Sequence, residues 1–213
     1  SDFYGLPFKV DKHTLIPRPE TEELVDWILT DEKLALAYDA LSVLDIGTGS
    51  GCIAISLKRN SFHTTVSAMD ISEKALETAR ENAEFHQCPI RFLMKDILQT
   101  DSLDRNYSII VSNPPFKLDF SDYRDDLEKD AFKKRFFAGI PNVPKKNKAS
   151  MSIYLMFIQH IMHSLSDTGK AAIVVPTGFI TAQSGIEKRI RKRLVDNGWL
   201  TGVVSMPSNI FAI

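Results

Sequence analysis

Ser42-Val43-Leu44-Asp45-Ile46-Gly47-Thr48-Gly49-Ser50-Gly51-Cys52-Ile53-Ala54 decides the fold. An apolar run of strand formers meets a glycine-rich turn and then a helix start. Glycines let a backbone approach a ligand closely, and a helix N-terminus offers unpaired N–H groups. The contacts expected of Gly47, Thr48, Gly49 and Gly51 are therefore with a cofactor. The spacing is G-x-G-x-G rather than the dinucleotide G-x-G-x-x-G, which argues against NAD. Asp45 at the strand end disfavours a pyrophosphate and favours a positively charged amino acid moiety.

Downstream, Thr64 to Met69 alternates towards Asp70, about 20 residues past the glycines, where an acid is placed to accept from the hydroxyls of a ribose. Ile90 to Ile97 reads as another strand ending in an acid. Asp96 is placed to accept from the exocyclic amine of an adenine, with Ile71 or Ile97 against its face. Amino acid, ribose and adenine together describe S-adenosylmethionine. Tyr107-Ser108-Ile109-Ile110-Val111 is a further buried strand, halted by Ser112-Asn113-Pro114-Pro115-Phe116. Two prolines lack N–H donors and cannot continue a central strand. The turn presents the Asn113 amide, the Pro114 carbonyl and the Phe116 ring. That set suits a flat –NH2 group, with two acceptors for its hydrogens and a ring for its plane.

These residues resemble class I methyltransferases of the amino-methylating kind. Upstream, Phe3-Tyr4-Gly5-Leu6, Phe8-Lys9-Val10 and Leu15-Ile16-Pro17-Arg18-Pro19-Glu20-Thr21-Glu22 are similar to the release-factor glutamine N5 methyltransferases. That resemblance runs from about residue 3 to 116 and implies Arg18 and Glu20 at the cofactor entrance. After Phe116 the pattern changes. Asp122-Tyr123-Arg124, Arg135-Phe136, Ser152 to His160, Gly169 to Gly178, Ile190 to Val195 and Val203 to Phe211 resemble the modification subunit of type I restriction systems, adenine N6 DNA methyltransferases. Together the two resemblances imply a mosaic, engineered or recombined. They also imply two acceptors, a release-factor-like protein or DNA, with glutamine first. A cofactor-binding chimera with impaired catalysis is the third reading. A helical N-terminal domain and a last antiparallel strand, both expected from the families, are missing. The open sheet edge would favour dimerisation or instability.

The 213 residues and net charge of −1 fit a single domain with no electrostatic case for nucleic acid or membrane. No run is long enough to span a bilayer, and Cys52 and Cys88 fit a reducing cytoplasm. Strands are expected at about 42–47, 64–69, 90–95, 107–112, 170–176 and 200–206. Helices are expected after Pro19 and at about 51–60, 72–86, 151–165 and 184–197. This alternation predicts a Rossmann-like α/β fold, a doubly wound, mostly parallel sheet with its crevice at the strand carboxyl ends. Residues 1–41 form an N-terminal cofactor lid and helix, 42–116 the cofactor-binding half, 117–148 an irregular insertion and 149–213 the C-terminal half. The insertion reads either as a substrate loop or as a weakly ordered connection. Ile186, Ile190 and Leu194 face the core, leaving the charges of Lys188 to Arg193 solvated. His160 and His163 lack the further ligands a zinc site needs, so no metal is expected.

Overall fold

The computed structural model describes residues 1–31, 41–61, 64–100, 103, 106–129 and 134–205. Its centre is a five-stranded parallel sheet. The strands are β3 (Ser42–Ile46), β4 (Thr65–Asp70), β5 (Ile90–Met94), β6 (Tyr107–Ser112) and β7 (Leu165–Ile173), in the order β5-β4-β3-β6-β7. Parallel neighbours need crossovers, and helices α2 (Cys52–Asn60) and α3 (Glu73–Phe85) supply the first two. The chain steps outward from β3 to β5, then returns to β3's other side with β6. That reversal is where an open α/β sheet forms its ligand crevice.

Side chains alternate across the sheet with period two. Val43, Val66, Ala68, Ile109 and Val111 join one core with Phe3, Phe8, Leu24, Val25 and the α2 residues Ile53, Ala54, Ile55 and Leu57. Leu44, Ile46, Met69 and Ile110 join the other, with Phe120, Leu127 and Phe136 of the insertion and Met151, Met156, Phe157 and Ile161 around α4 (Tyr154–Ser164). Burial on both faces explains the near-continuous apolar strand sequences. No helix among the described residues is long and apolar enough to cross a membrane.

The N-terminal segment is strapped down before it reaches the crevice. A short hairpin, β1 (Asp2–Phe3) with β2 (Leu6–Pro7), buries Phe3 and leads to buried Phe8. Asn82 of α3 then holds Lys9 at both backbone groups: Oδ1 accepts from Lys9 N at 2.8 Å and Nδ2 donates to Lys9 O at 2.9 Å. The same Nδ2 donates to Ser50 O at 2.9 Å, tying the segment to the glycine turn. Thr78 donates to Asp11 at 2.9 Å. Residues 15–18 are thereby laid beside the crevice, and Pro19 opens α1 (Pro19–Thr30), where proline's missing N–H costs nothing.

The structure departs from the sequence reading in three places. The strand expected at 170–176 covers Leu165–Ile173, with Leu165 opposite Tyr107 and Lys170 opposite Ile109. Ser166 to Gly169 bulge out between those pairs. A Cβ on Gly169 would stand 2.9 Å from both Ser166 Oγ and Tyr107 O, so the bulge requires glycine there. Val174 N still donates to Ser112 O, but Pro176 has no N–H with which to continue. The strand expected at 200–206 is not formed over 200–205; Met206 and the rest of the Val203–Phe211 stretch lie outside the described residues. After helix α6 (Gly185–Asp196) the chain closes with Trp199 N and Leu200 N on Leu194 O, and Gly202 then lies against the Trp27 ring. Val203 and Val204 are left exposed without a strand partner among the described residues.

The third departure is the basic run on α6. Ile190 is buried as expected, but the arginines are not simply solvated. Arg189 Nε donates to Ala138 O at 2.7 Å, Arg191 donates to Phe179 O and Ala182 O, and Arg193 lies 4.1 Å over the Phe137 ring. They clamp the insertion and helix α5 (Thr177–Thr181) to α6.

Asn82→Ala removes three hydrogen bonds and leaves partly buried backbone groups unmet. Chemical denaturation is expected to register a loss of about 2–4 kcal/mol. A loss below about 0.5 kcal/mol would mean the strap contributes nothing to the fold.

Candidate active site

The ends of β3 and β4 are folded into one another. Gly47 N and Thr48 N both donate to Met69 O, at 2.8 and 3.0 Å. Gly49 has a φ of 56°, and a Cβ there would meet nothing within 4 Å, so its backbone lies open to the crevice. Gly51 has the opposite surroundings: at φ 82°, a Cβ would press to 3.2 Å on Ala79 Cβ and Ile55 Cδ1. One glycine makes room for a ligand and the other for packing of α2 on α3.

Asp70 ends β4 and uses both oxygens on backbone. Gly49 N donates to Oδ2 and Ser72 N to Oδ1, each at 2.9 Å. Ser72 in turn caps α3 by accepting from Ala75 N at 3.2 Å. Asp96, after β5, is fixed similarly by Leu98 N on Oδ1 at 2.8 Å. A cleft of about 280 Å³ is lined by Gly47, Thr48, Gly49, Asp70, Ile71, Asp96, Ile97 and Asn113, with Arg18 at its side. That is near the lower end of small-molecule pockets, ~300–1,000 Å³. Ile71 is exposed and Ile97 is buried.

Asp45 stands elsewhere. It is fully buried behind the turn, with Thr48 Oγ1 donating to Oδ2 at 2.6 Å. Oδ1 closes no full hydrogen bond, and the Ala54 N–H at the start of α2 acts on the carboxyl. Burial raises its pKa to about 7; the Thr48 hydroxyl and Ala54 amide pull it down, and Asp70 adds a small push upward. Its carboxyl builds the turn rather than lining the cleft, which corrects its expected place among the cofactor contacts. Gly51 and Glu20 do not line the cleft either.

At the end of β6, Asn113 and Pro115 line the cleft; Pro114 and Phe116 do not. Asn113 Nδ2 donates to Thr21 Oγ1 of α1 at 3.0 Å. Phe116 instead packs edge-on against Tyr154, ring centroids 6.2 Å apart. An apolar ring gains more from half-burial against α4 than from standing in water.

Several lining residues were not foreseen. Thr21, Ile153 and Phe157 are buried members, and Leu118 and Tyr123 come from the insertion. The described part of the insertion packs into the fold. Phe120, Leu127 and Phe136 are buried in the core. Buried Arg135 donates to Ile97 O at 2.9 Å, Leu98 O at 2.6 Å and His160 Nδ1 at 2.9 Å, while lying 4.3 Å over Phe136. Burial and the Arg135 cation push His160 down to about 3, so its imidazole stays neutral and accepts. This knot ties the insertion to the loop following Asp96. The only foreseeable signal was Arg135-Phe136 itself, the last of a Lys133-Lys134-Arg135 run meeting an apolar segment. Among the described residues no group of three or more His, Cys, Asp or Glu could hold a metal.

A family model described as N-6 DNA Methylase matches residues 26–213. The release factor glutamine methyltransferase of Lactococcus lactis subsp. lactis (strain IL1403) is 35% identical over 99% of this chain and 71% of its own length. The chain belongs to the N-6 DNA methylase family and is a relative of the release factor glutamine methyltransferases. The Flavobacterium psychrophilum protein of that name is 42% identical over 80% of this chain and 58% of its own. The Streptococcus pneumoniae (R6) protein is 53% identical over 54% of this chain and 39% of its own. The chain thus spans from about two fifths to about seven tenths of these relatives. Among solved structures, the type I restriction-modification methyltransferase subunit of Streptococcus thermophilus superposes with a TM-score of 0.66 at 21% identity, over 87% of this chain and 39% of that one. A putative class I S-adenosylmethionine-dependent methyltransferase of Listeria monocytogenes gives 0.64 at 14%, over 88% and 54%. The fold is that of the Rossmann-like class I methyltransferases.

Two outcomes follow from the acids. Asp70→Ala is expected to weaken S-adenosylmethionine binding by about 1.5–3 kcal/mol in calorimetry, the cost of losing hydrogen bonds to a charged group. Unchanged affinity would remove Asp70 from the site. For Asp45, the folded chain keeps a proton that the unfolded chain releases near pH 4. Stability from this group therefore falls as pH rises from about 4 to 7 and is flat above, by a few kcal/mol at most. Asp45→Asn keeps the shape, with Oδ1 turned to Ala54 N–H and the Thr48 hydroxyl accepting from Nδ2. Denaturation midpoints measured from pH 4 to 8 should lose that slope in the variant, which should be the more stable protein at pH 8. An unchanged slope would place the titrating group elsewhere.

Proposed function

We propose that this chain is an S-adenosylmethionine-dependent N-methyltransferase whose acceptor is a planar NH2 group, first the side-chain amide of glutamine in a release-factor-type protein. The observation carrying this reading is that Asn113 stands in the same cleft as the glycine turn, Asp70 and Asp96. The residues fit the cofactor's chemistry. Gly49 is open on its ligand side, and Asp70 and Asp96 place acceptors one strand apart, suited to ribose hydroxyls and an adenine amine. Arg18 lies at the cleft; Glu20 has a buried oxygen, Oε2, without a partner and stands outside the lining.

Bound S-adenosylmethionine supplies an electrophilic sulfonium methyl. The chain's task is then mainly position. An amide nitrogen has its lone pair delocalised into its π system. Asn113 Oδ1, at the cleft, accepts one of its N–H groups, orients the nitrogen and favours the positive charge that develops on it; the Pro114 carbonyl, outside the lining, is the second acceptor that the turn offers once a substrate is bound. No strong base is needed before transfer, because the proton leaves afterwards.

Adenine N6 of DNA is the second reading, supported by the family model over residues 26–213. The surface favours protein. Leu15, Ile16, Ile71 and Leu118 are exposed around the cleft, and the chain's charge of −1 gives no electrostatic footprint for a duplex. Lys145, Lys146 and Lys148 are exposed but do not line the cleft.

The test is transfer of labelled methyl to a release factor or to duplex DNA. Label on the factor, located to a glutamine, is the expected result; label on DNA reverses the ranking, and label on neither favours an impaired chimera. Asn113→Ala should leave cofactor affinity nearly intact and lower turnover about a hundredfold or more. Joint loss of binding and turnover would make Asn113 a cofactor or folding residue instead.

A further inference from the structure

We infer that Thr21 is a positioning residue for the acceptor site, holding the Asn113 carboxamide so that its oxygen faces the acceptor nitrogen. This rests on the role proposed for Asn113. Thr21 lies in the first turn of α1 and Asn113 just past β6, 92 positions apart, yet Asn113 Nδ2 donates to Thr21 Oγ1 at 3.0 Å. Thr21 is 5% exposed, so the hydroxyl meets the amide away from bulk water. Its own N–H is already committed to Arg18 O at 2.9 Å.

The need for such a partner follows from the amide. The terminal torsion of asparagine is broad and nearly twofold, so the oxygen and nitrogen exchange places at small cost when nothing holds them. With the nitrogen outward, Asn113 would offer two donors to an acceptor that also brings two donors. With Nδ2 spent on Thr21, Oδ1 is the atom left for the substrate. A hydroxyl held by the first turn of a helix is a rigid partner, because Pro19 and the chain strapped over α3 fix where α1 begins. Thr21 touches neither reacting atom; it acts through Asn113. The proposal also gives α1 a task in acceptor selection, whereas the cofactor residues Asp70 and Asp96 follow β4 and β5 on the other side of β3.

The experiment uses Thr21→Val, which keeps the shape and loses the hydroxyl, beside Thr21→Ser, which keeps the hydroxyl. Two readouts are needed. The first is the pair of Asn113 side-chain amide proton signals in nitrogen-15-edited NMR, assigned by their loss in Asn113→Ala. In the parent chain and Thr21→Ser one proton should exchange slowly with water, and in Thr21→Val both should exchange fast. The second is methyl transfer. Thr21→Val should lower kcat about tenfold, the upper range for a neutral hydrogen bond, with cofactor affinity unchanged, and Thr21→Ser should restore it to within about threefold. In an Asn113→Ala background Thr21→Val should have no further effect on kcat. Slow exchange and unchanged kcat in Thr21→Val would overturn the inference, as would a defect that Thr21→Ser fails to rescue. If the parent chain transfers no methyl, the proposed activity fails, and the exchange pattern still decides whether Thr21 holds the amide.

Discussion

The parallel pairing of β3 with β4 on one side and β6 on the other is the constraint on which the site depends. Ile46 is level with Met69 and with Ser112, so the ends of β3 and β6 lie on one line with the next-to-last residue of β4. Ser112 Oγ donates to Ile46 O at 2.7 Å and locks that line. The glycine turn, Asp70 and Asn113 each lie one residue past that line. Register brings the three together, and the hydrogen bond from Gly49 N to Asp70 Oδ2 at 2.9 Å then ties the turn to the acid. A one-residue slip would send each strand's side chains to the opposite face, exchanging the two cores, and would be strongly resisted.

Around that line the chain adds restraints of different kinds. Asn82 holds the N-terminal segment by backbone hydrogen bonds. Arg135, buried with neutral His160, binds the insertion to the loop that carries Asp96 and Ile97. The arginines of α6 hold the far end of the insertion. The cleft is walled by six stretches of the sequence, held by the sheet, by the helices packed on it and by these side-chain ties. A site so built needs little rearrangement to bind, which lowers the ordering cost of a ligand.

What the sequence made legible is what periodicity and turn chemistry encode. β6 falls at 107–112 as read, and the two prolines after Asn113 end it. The glycine turn and the acids after β4 and β5 were legible because each sits where an apolar run stops. What stayed hidden depends on partners distant in the chain. The bulge at Ser166 to Gly169 reads as a turn before a strand, because nothing local says that Leu165 already pairs with Tyr107. Asp45 and Asp70 both stand at strand ends, and only the fold reveals that one carboxyl points behind the turn and the other into the cleft. The packing of Phe116 edge-on against Tyr154 was not legible, because Tyr154 lies 38 positions on and is brought near only by α4. Thr21 was visible within a specific run, but its partner Asn113 was not.

Under the proposed function, one cleft at the ends of β3, β4, β5 and β6 holds both cofactor and acceptor. A crystal structure of the chain with S-adenosylhomocysteine tests this most directly. The claim predicts ribose hydroxyls on Asp70, the adenine between Ile71 and Ile97 with its amine at Asp96, and the thioether sulfur directed towards Asn113. A ligand bound outside this cleft, or bound within it with its sulfur turned away from Asn113, would contradict the account.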